Sequence, residues 1–252
     1  MNYVFDVDGT ICFNGQFIEK PILKALKNLN NSEHQLLFAS ARPIRDLLPV
    51  IPDFLENTLI GGNGSIVSIN DKIQVTSKIN AESYAQILQL IDEYQLDYII
   101  DDQWNYAAKV TENNPIFSQL DPKRLAEKIA IEKIQTPIKI ILLNVPQSIY
   151  STIYHQLNNQ ELAVVAHNDE RNIDITAKNI NKWTTLKKII GEEEYIAFGN
   201  DHNDTQLLQN AKRSYFVGNE QKAKKLGIQK TEIVPPSIPI LATLLQAEIE
   251  QE

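Results

Sequence analysis

This 252-residue chain has a single cysteine, a single methionine and no long apolar run. Cys12 has no second cysteine to pair with, so an internal disulfide is excluded and a reducing compartment is expected. No stretch reaches the roughly 20 apolar residues of a membrane span, and the N-terminus runs straight into Tyr3, Val4 and Phe5 without a signal-peptide pattern. The expectation is a cytoplasmic protein with no membrane partner. Positive charge is also in short supply: 24 Lys and Arg against 32 Asp and Glu leave a net charge of -8. That argues against a nucleic-acid partner, because such binding rests on clustered cations that displace phosphate counterions. The one dense basic run, Lys222, Lys224 and Lys225, reads as a solvated helix face. Gly/Ser tracts, repeats and acidic tails are missing too, and 43% hydrophobic with 22% charged residues describes an ordinary globular chain.

The chain does contain a set of short apolar runs that end in polar clusters. Tyr3 to Phe5 end in Asp6-Val7-Asp8-Gly9-Thr10, which places polar groups at the carboxyl end of a buried strand. Pro21 to Asn30 carry Ile22, Leu26 and Leu29 at helical spacing, and Gln35 to Ala39 read as a second strand ending in Ser40-Ala41-Arg42-Pro43. Strand, helix, strand implies parallel pairing through a right-handed crossover. Later, Asn181 can cap a helix that stops at Gly191, and the strand Tyr195 to Phe198 ends in Gly199-Asn200-Asp201-His202-Asn203-Asp204. Ser214 to Val217 add one more short strand. In an open parallel sheet such strand ends face one crevice, where ligands bind.

The middle of the chain has a different pattern. From about residue 80 to 177 it predicts a helix carrying Tyr84, Ile87, Leu88 and Ile91, then strands at Leu96 to Ile100 and Tyr106 to Val110. A helix opened by Asp121-Pro122 follows, then a strand at Ile138 to Leu143, a helix from about Gln147 to Leu157, and strands at Leu162 to Ala166 and Asn172 to Thr176. Paired strands with short links indicate an antiparallel sheet with helices on one face, inserted into the first domain because the polar clusters flank it.

Two carboxylates one residue apart repel each other on a plain strand. At a strand end Asp6 and Asp8 can share a divalent cation and divide two roles, one attacking phosphorus and the other giving a proton to the leaving oxygen. Gly9 allows the turn, and Thr10 offers a hydroxyl.

Asp6-Val7-Asp8-Gly9-Thr10 resembles the first signature of the haloacid dehalogenase superfamily of phosphatases, and the other signatures follow in order. Ser40 matches the residue that hydrogen-bonds the transferring phosphoryl group, Lys182 the motif lysine, and Gly199 to Asp204 the acidic metal motif. Gly61-Gly62-Asn63-Gly64-Ser65 and Ile173-Asp174-Ile175-Thr176 are similar to the Cof-type (subfamily IIB) branch with its large C2-type cap. The resemblance implies an α/β fold: a Rossmann-like parallel-sheet core of residues 1–78 and 179–252, with an inserted α+β cap of residues 79–178. It implies Mg2+ as cofactor, held by Asp6, Asp8 through its backbone carbonyl, Asn200 and Asp204, with Asp201 as a further candidate. Catalysis falls to Asp6, Asp8, Ser40 and Lys182. A small phosphate ester, with a sugar phosphate as the family-level expectation, would meet Thr10, Arg42, Asn203 and, from the cap, Trp104 beside Asn105 and Tyr106.

Asn200 departs from the commonest pattern, which has Asp after the glycine. An amide oxygen can ligate magnesium without adding charge, which would lower metal affinity. A Gly-Asn-Asp sequence also occurs at this motif in phosphomannomutases, which argues against simple loss of function. Beside the phosphatase stand two alternatives: a phosphomutase or phosphotransferase using the same Asp6/Asp8 pair, and a phospholigand-binding protein with weakened turnover. His202 reads as a loop residue and Cys12 as packing. Sequence leaves the oligomeric state open.

Overall fold

The computed structural model describes residues 1–158, 161–167 and 171–250. The first sheet opens with β1 (Asn2–Phe5), buried at every position, as a strand covered on both faces must be. α1 (Lys20–Asn30) has proline in its first turn and buries Ile22, Ala25, Leu26 and Leu29 as one stripe. It leads into β2 (Gln35–Ala39), the short α2 (Ile44–Leu47) and β3 (Thr58–Gly61). β4 (Ile66–Ile69) and β5 (Lys72–Val75) follow as an antiparallel hairpin extension that the sequence reading did not include.

The chain then builds the second sheet: α3 (Ala81–Glu93), β6 (Asp97–Asp101), β7 (Tyr106–Lys109), β8 (Lys139–Leu143), α4 (Gln147–Asn158), β9 (Leu162–His167) and β10 (Asn172–Ala177). It returns with α5 (Lys182–Ile190), β11 (Tyr195–Gly199), α6 (Thr205–Gln209), β12 (Arg213–Val217), α7 (Glu220–Lys225), β13 (Glu232–Val234) and α8 (Ile238–Glu250).

Among the described residues the first sheet runs β13-β12-β11-β1-β2-β3-β4-β5 and the second β7-β6-β8-β10-β9. β1 pairs in parallel with β2 on one side and β11 on the other. The chain's direction of winding therefore reverses at β1, and the carboxyl ends of β1, β2 and β11 border one crevice. This is the parallel core with a separate antiparallel cap that the sequence predicts. In the cap sheet, Ile100, Ile140, Leu142, Ile173 and Ile175 pack with Ile87, Ile91, Ile153 and Leu157 of the two helices. The alternate residues Ile99, Ile141 and Leu143 face the other way and meet Ile116 and Leu120.

The helix expected at Asp121-Pro122 does not form. Asp121 takes φ 44, and its carboxylate oxygens accept from the Leu125 and Ala126 amides at 2.7 and 3.2 Å. A side chain that bonds nearby amides offers the backbone an alternative to a helical turn, and Arg124 at φ 54 turns the chain again. Residues 115–119 and 131–133 instead form single 3₁₀ turns.

Candidate active site

Asp6 stands at the end of β1, its amide donating to the Phe198 carbonyl at 2.9 Å so that it is held between β1 and β11. The turn that follows is closed by Val7, whose carbonyl accepts from Thr10, Ile11 and Cys12. Gly9 has φ +77, and a Cβ there would lie 2.0 Å from Asn200 Nδ2. The glycine thus provides both the left-handed turn and the space that the Asn200 side chain fills.

Around Asp6 the charges alternate. Lys182 Nζ donates to Asp6 Oδ1 at 2.5 Å and to Asp204 Oδ1 at 2.8 Å, and all three residues are buried. Lys182 is delivered by the first turn of α5, whose start is fixed by a capping box: Asn181 Oδ1 accepts from the Thr184 amide, and the Thr184 hydroxyl accepts from the Asn181 amide. Asp204 Oδ2 accepts from the Asn200 and Asp201 amides at 2.9 and 3.1 Å. Gly199 is required here, since a Cβ would fall 2.6 Å from Asp204 Cβ. Burial, and then the Asp204 charge, push the Asp6 carboxyl up to about 7 against the opposing pull of Lys182. Burial pulls the Lys182 ammonium down, but Asp204 and Asp6 outweigh it and hold the group above its usual range.

Asp8 points elsewhere. Its carboxylate takes two bonds from Arg42, at 2.8 and 2.7 Å, and Arg42 also donates to the Gly15 carbonyl. Ser40 Oγ accepts from the Arg42 amide at 3.0 Å, so the loop after β2 is tied at both its backbone and its guanidinium. The Gly62 amide donates to the Arg42 carbonyl, and the Asn63 amide to the Ser40 carbonyl. Asn63 sits at φ 55 and accepts through Oδ1 from Asn203 Nδ2 at 3.0 Å.

The residues singled out from the two core segments therefore converge, several of them with partners other than those expected. Thr10, expected at the substrate, donates to Asp6 Oδ2 at 2.6 Å and is fully buried, so it orients the carboxylate. Arg42, expected at the substrate, holds Asp8. Asp201 turns its carboxylate to the His202 amide and toward Lys222 at 3.7 Å, away from the Gly9 turn that Asn200 faces. Trp104 lies at the edge of the cap, where its indole N–H donates to the Leu125 carbonyl and its own carbonyl accepts from Arg45 at 2.9 Å. Cys12 is buried among core residues.

Sequence reading missed Asn63 as a site residue, although its loop was quoted for the resemblance. It also missed Arg45 and Asp46, which no local signal distinguishes from an exposed helical pair.

The oxygens in the loops around Asp6 are its own carboxylate, the Asp8 backbone carbonyl and the Asn200 side-chain amide; Asp204, also expected at the metal, has Oδ1 on Lys182 and Oδ2 on the Asn200 and Asp201 amides, so both its oxygens already have partners. Among the described residues no group of three or more His, Cys, Asp or Glu side chains comes together as a metal cage. A sparse oxygen set fits magnesium, which keeps several of its waters.

A family model described as haloacid dehalogenase-like hydrolase matches residues 3–228. No curated protein is similar enough in sequence to count as a match. Solved structures align along nearly the whole chain. A haloacid dehalogenase-like hydrolase from B. subtilis has 13% identity and TM-score 0.79, covering 97% of this chain and 98% of that one. Another from Bacteroides thetaiotaomicron has 16% identity and TM-score 0.79, with 98% of each chain covered. The subclass IIB sugar phosphatase BT4131 has 16% identity and TM-score 0.78, again over 98% of each chain. At these identities the structures establish a shared fold.

Proposed function

The chain belongs to the haloacid dehalogenase-like hydrolases, and on that premise we propose that it is a magnesium-dependent phosphatase acting on a small phosphorylated metabolite. Residues 1–78 and 179–252 are the catalytic core, and residues 79–178 the cap. The observation that carries this reading is the buried Asp6 carboxylate bonded to Lys182, with the second carboxylate, Asp8, one turn of loop away. BT4131, by its name a sugar phosphatase, shares the fold and makes sugar phosphates the first substrates to try.

The chemistry divides among this chain's own residues. An Asp6 oxygen attacks phosphorus, the bond to the leaving oxygen breaks, and Asp8 gives that oxygen a proton. Water then attacks the aspartyl phosphate, Asp8 takes the water's proton, and phosphate leaves as the Asp6 carboxylate is restored. The charge spread over the phosphoryl oxygens meets the Lys182 ammonium, the Ser40 hydroxyl and the Asn203 amide. Thr10 and Arg42 hold the two carboxylates in register. Magnesium would be held by Asp6, the Asp8 carbonyl and Asn200, with Asp204 positioning Asn200 through its amide, and when bound it supplies charge to the phosphoryl oxygens.

The test is release of inorganic phosphate from a panel of phosphorylated metabolites, with and without magnesium. Stoichiometric phosphate release that Asp6→Asn abolishes supports the reading. An isomeric phosphosugar formed without free phosphate, or no reaction with any ester, overturns it.

A further inference from the structure

The loop between β3 and β4 holds three consecutive residues in the left-handed region: Gly62 at φ 56, Asn63 at φ 55 and Gly64 at φ 105. Glycine meets that demand at the two outer positions and would meet it at the middle one with less strain than any side chain. Asparagine stands there instead. A side chain kept where glycine fits better points to work done by the side chain itself.

The backbone of this loop is held from several sides. The Gly62 amide donates to the Arg42 carbonyl at 2.7 Å, and the Asn63 amide to the Ser40 carbonyl at 3.0 Å. The Gly64 carbonyl accepts from the Thr76 hydroxyl and, at 2.8 Å, from the hydroxyl of Thr185, which shares the first turn of α5 with Lys182. Gly64 runs so close to α5 that a Cβ there would fall 2.5 Å from the Asn181 carbonyl oxygen. The Asn63 side chain thus projects from a frame already fixed relative to Ser40 and to the start of α5.

Asn203 is held by much less. It lies in the single 3₁₀ turn His202–Asp204, and among the described residues its side chain makes one hydrogen bond, from Nδ2 to Asn63 Oδ1 at 3.0 Å. An amide free of that bond would turn about its last torsion, where the preference is broad. The bond takes one of the two N–H groups on Nδ2, and because the amide is planar it also sets the direction of the other.

Building on the phosphatase reading, we infer that Asn63 is a positioning residue for phosphoryl transfer, its amide oxygen aiming the Asn203 amide at the phosphoryl group. Ser40 follows β2 and Asn203 follows β11, which flank β1 on opposite sides, so neither loop alone sets the distance between these two donors. Asn63 bonds both, Ser40 through its backbone and Asn203 through its side chain. Donors fixed in this way need no reorganisation as charge develops on the phosphoryl oxygens.

The experiment compares Asn63→Gly, Asn203→Ala and the double variant with the full-length parent on one alkyl and one aryl phosphate monoester at saturating magnesium. Glycine adopts the backbone of position 63 freely, so Asn63→Gly should melt cooperatively near the parent. Its kcat should nevertheless fall by about 10- to 100-fold, alike on both esters because both present the same phosphoryl group. Asn203→Ala should lose about 10²-fold or more. The double variant should match Asn203→Ala alone, because Asn63 acts only through that amide. Inhibition by orthovanadate, which takes up the five-coordinate geometry of the phosphoryl group in flight, should weaken in parallel. Magnesium affinity read by calorimetry should stay at the parent value. Losses that multiply in the double variant would show that Asn63 acts by itself and overturn the inference. Parent-like turnover of Asn63→Gly, a lost cooperative melt or a matching loss of magnesium affinity would overturn it as well, leaving Asn63 a loop or metal-site residue. No phosphate released by the parent from any ester would instead overturn the phosphatase reading, and the inference with it.

Discussion

Lys182 Nζ stands 2.5 Å from Asp6 Oδ1, although 176 positions separate the two residues in the chain. The same ammonium keeps Asp6 and Asp204 from facing each other as bare like charges. Lys182→Met fills much of the volume without the charge, so kcat/KM should fall by about 10² to 10³. Breaking a buried pair should also lower stability by about 3 kcal/mol, read by urea unfolding, less whatever Asp6 recovers by taking up a proton. Turnover close to that of the parent would remove Lys182 from the phosphoryl site.

Asp6 and Asp8 should fail in different ways. Asp6→Asn keeps the volume but cannot attack phosphorus, so both turnover and phosphoenzyme should disappear. Asp8→Asn should slow turnover of an alkyl ester by roughly 10² to 10⁴. An aryl leaving group needs little help from a proton, so with that substrate phosphorylation stays fast while hydrolysis of the aspartyl phosphate lacks its base. A burst of about one phenol per site, followed by slow turnover, should then appear in stopped-flow traces. Absence of a burst would mean that Asp8 does not serve the second half-reaction.

Metal binding should depend on pH with a definite sign. Burial and Asp204 hold the Asp6 carboxyl up to about 7, and the cation needs that carboxylate ionised. Magnesium affinity, read by calorimetry, should therefore rise with pH by about tenfold per unit below 7 and level off above it. By the same linkage, the metal-free protein keeps a proton that the unfolded chain gives up near 3.8, so Asp6 costs stability progressively as pH climbs from there to about 7. Asn200→Asp adds a charge to the site and should tighten magnesium, whereas Asn200→Leu should weaken it. Unchanged affinity in both would exclude Asn200 as a ligand.

How far this could be read from sequence depends on the range of the interaction. β1, β2 and β11 announce themselves as apolar runs with polar ends, and Asn181 marks the start of α5 locally. Placing three strand ends on one crevice brought Asp6, Ser40 and Asp204 together, whereas Lys182, at a helix start, was reached through the family resemblance. The Asp121 turn was misread because Asp-Pro is an equally good helix opening, and only Leu125 and Ala126 reveal which amides the carboxylate takes. Arg45 was invisible for a further reason: its partner Asp101 is 56 positions away and belongs to the other sheet. Thr10 and Arg42 were placed in the right crevice, but which group each hydroxyl or guanidinium would bond is set by distances of a few ångströms that spacing does not encode.

Glu248 on α8 is fully buried, and its carboxylate accepts from Tyr3 at 3.2 Å, from Tyr215 at 2.5 Å and from the Arg213 guanidinium. Tyr3 belongs to β1 and the other two to β12, so one side chain pins the C-terminal helix to two strands of the core sheet. Burial, and then the bond to Glu248, hold the Tyr215 hydroxyl above its usual range. Glu248→Gln keeps the shape but removes the charge that faces Arg213, whose side chain is 39% exposed and can rehydrate. That partial exposure limits the loss to about 2 kcal/mol, which for a chain of this size is a fall in Tm of about 4 to 8 °C. Glu248→Leu should cost more, because the bonds from two tyrosine hydroxyls and a guanidinium to this carboxylate are then lost together. Pairing Glu248→Gln with Tyr215→Phe should cost less than the sum of the two single changes, since both act on one bond. None of these partners borders the crevice, so kcat/KM measured well below the melting transition should match the parent. A Glu248→Gln protein that melts with the parent would show that the charge facing Arg213 adds nothing to the hold on α8.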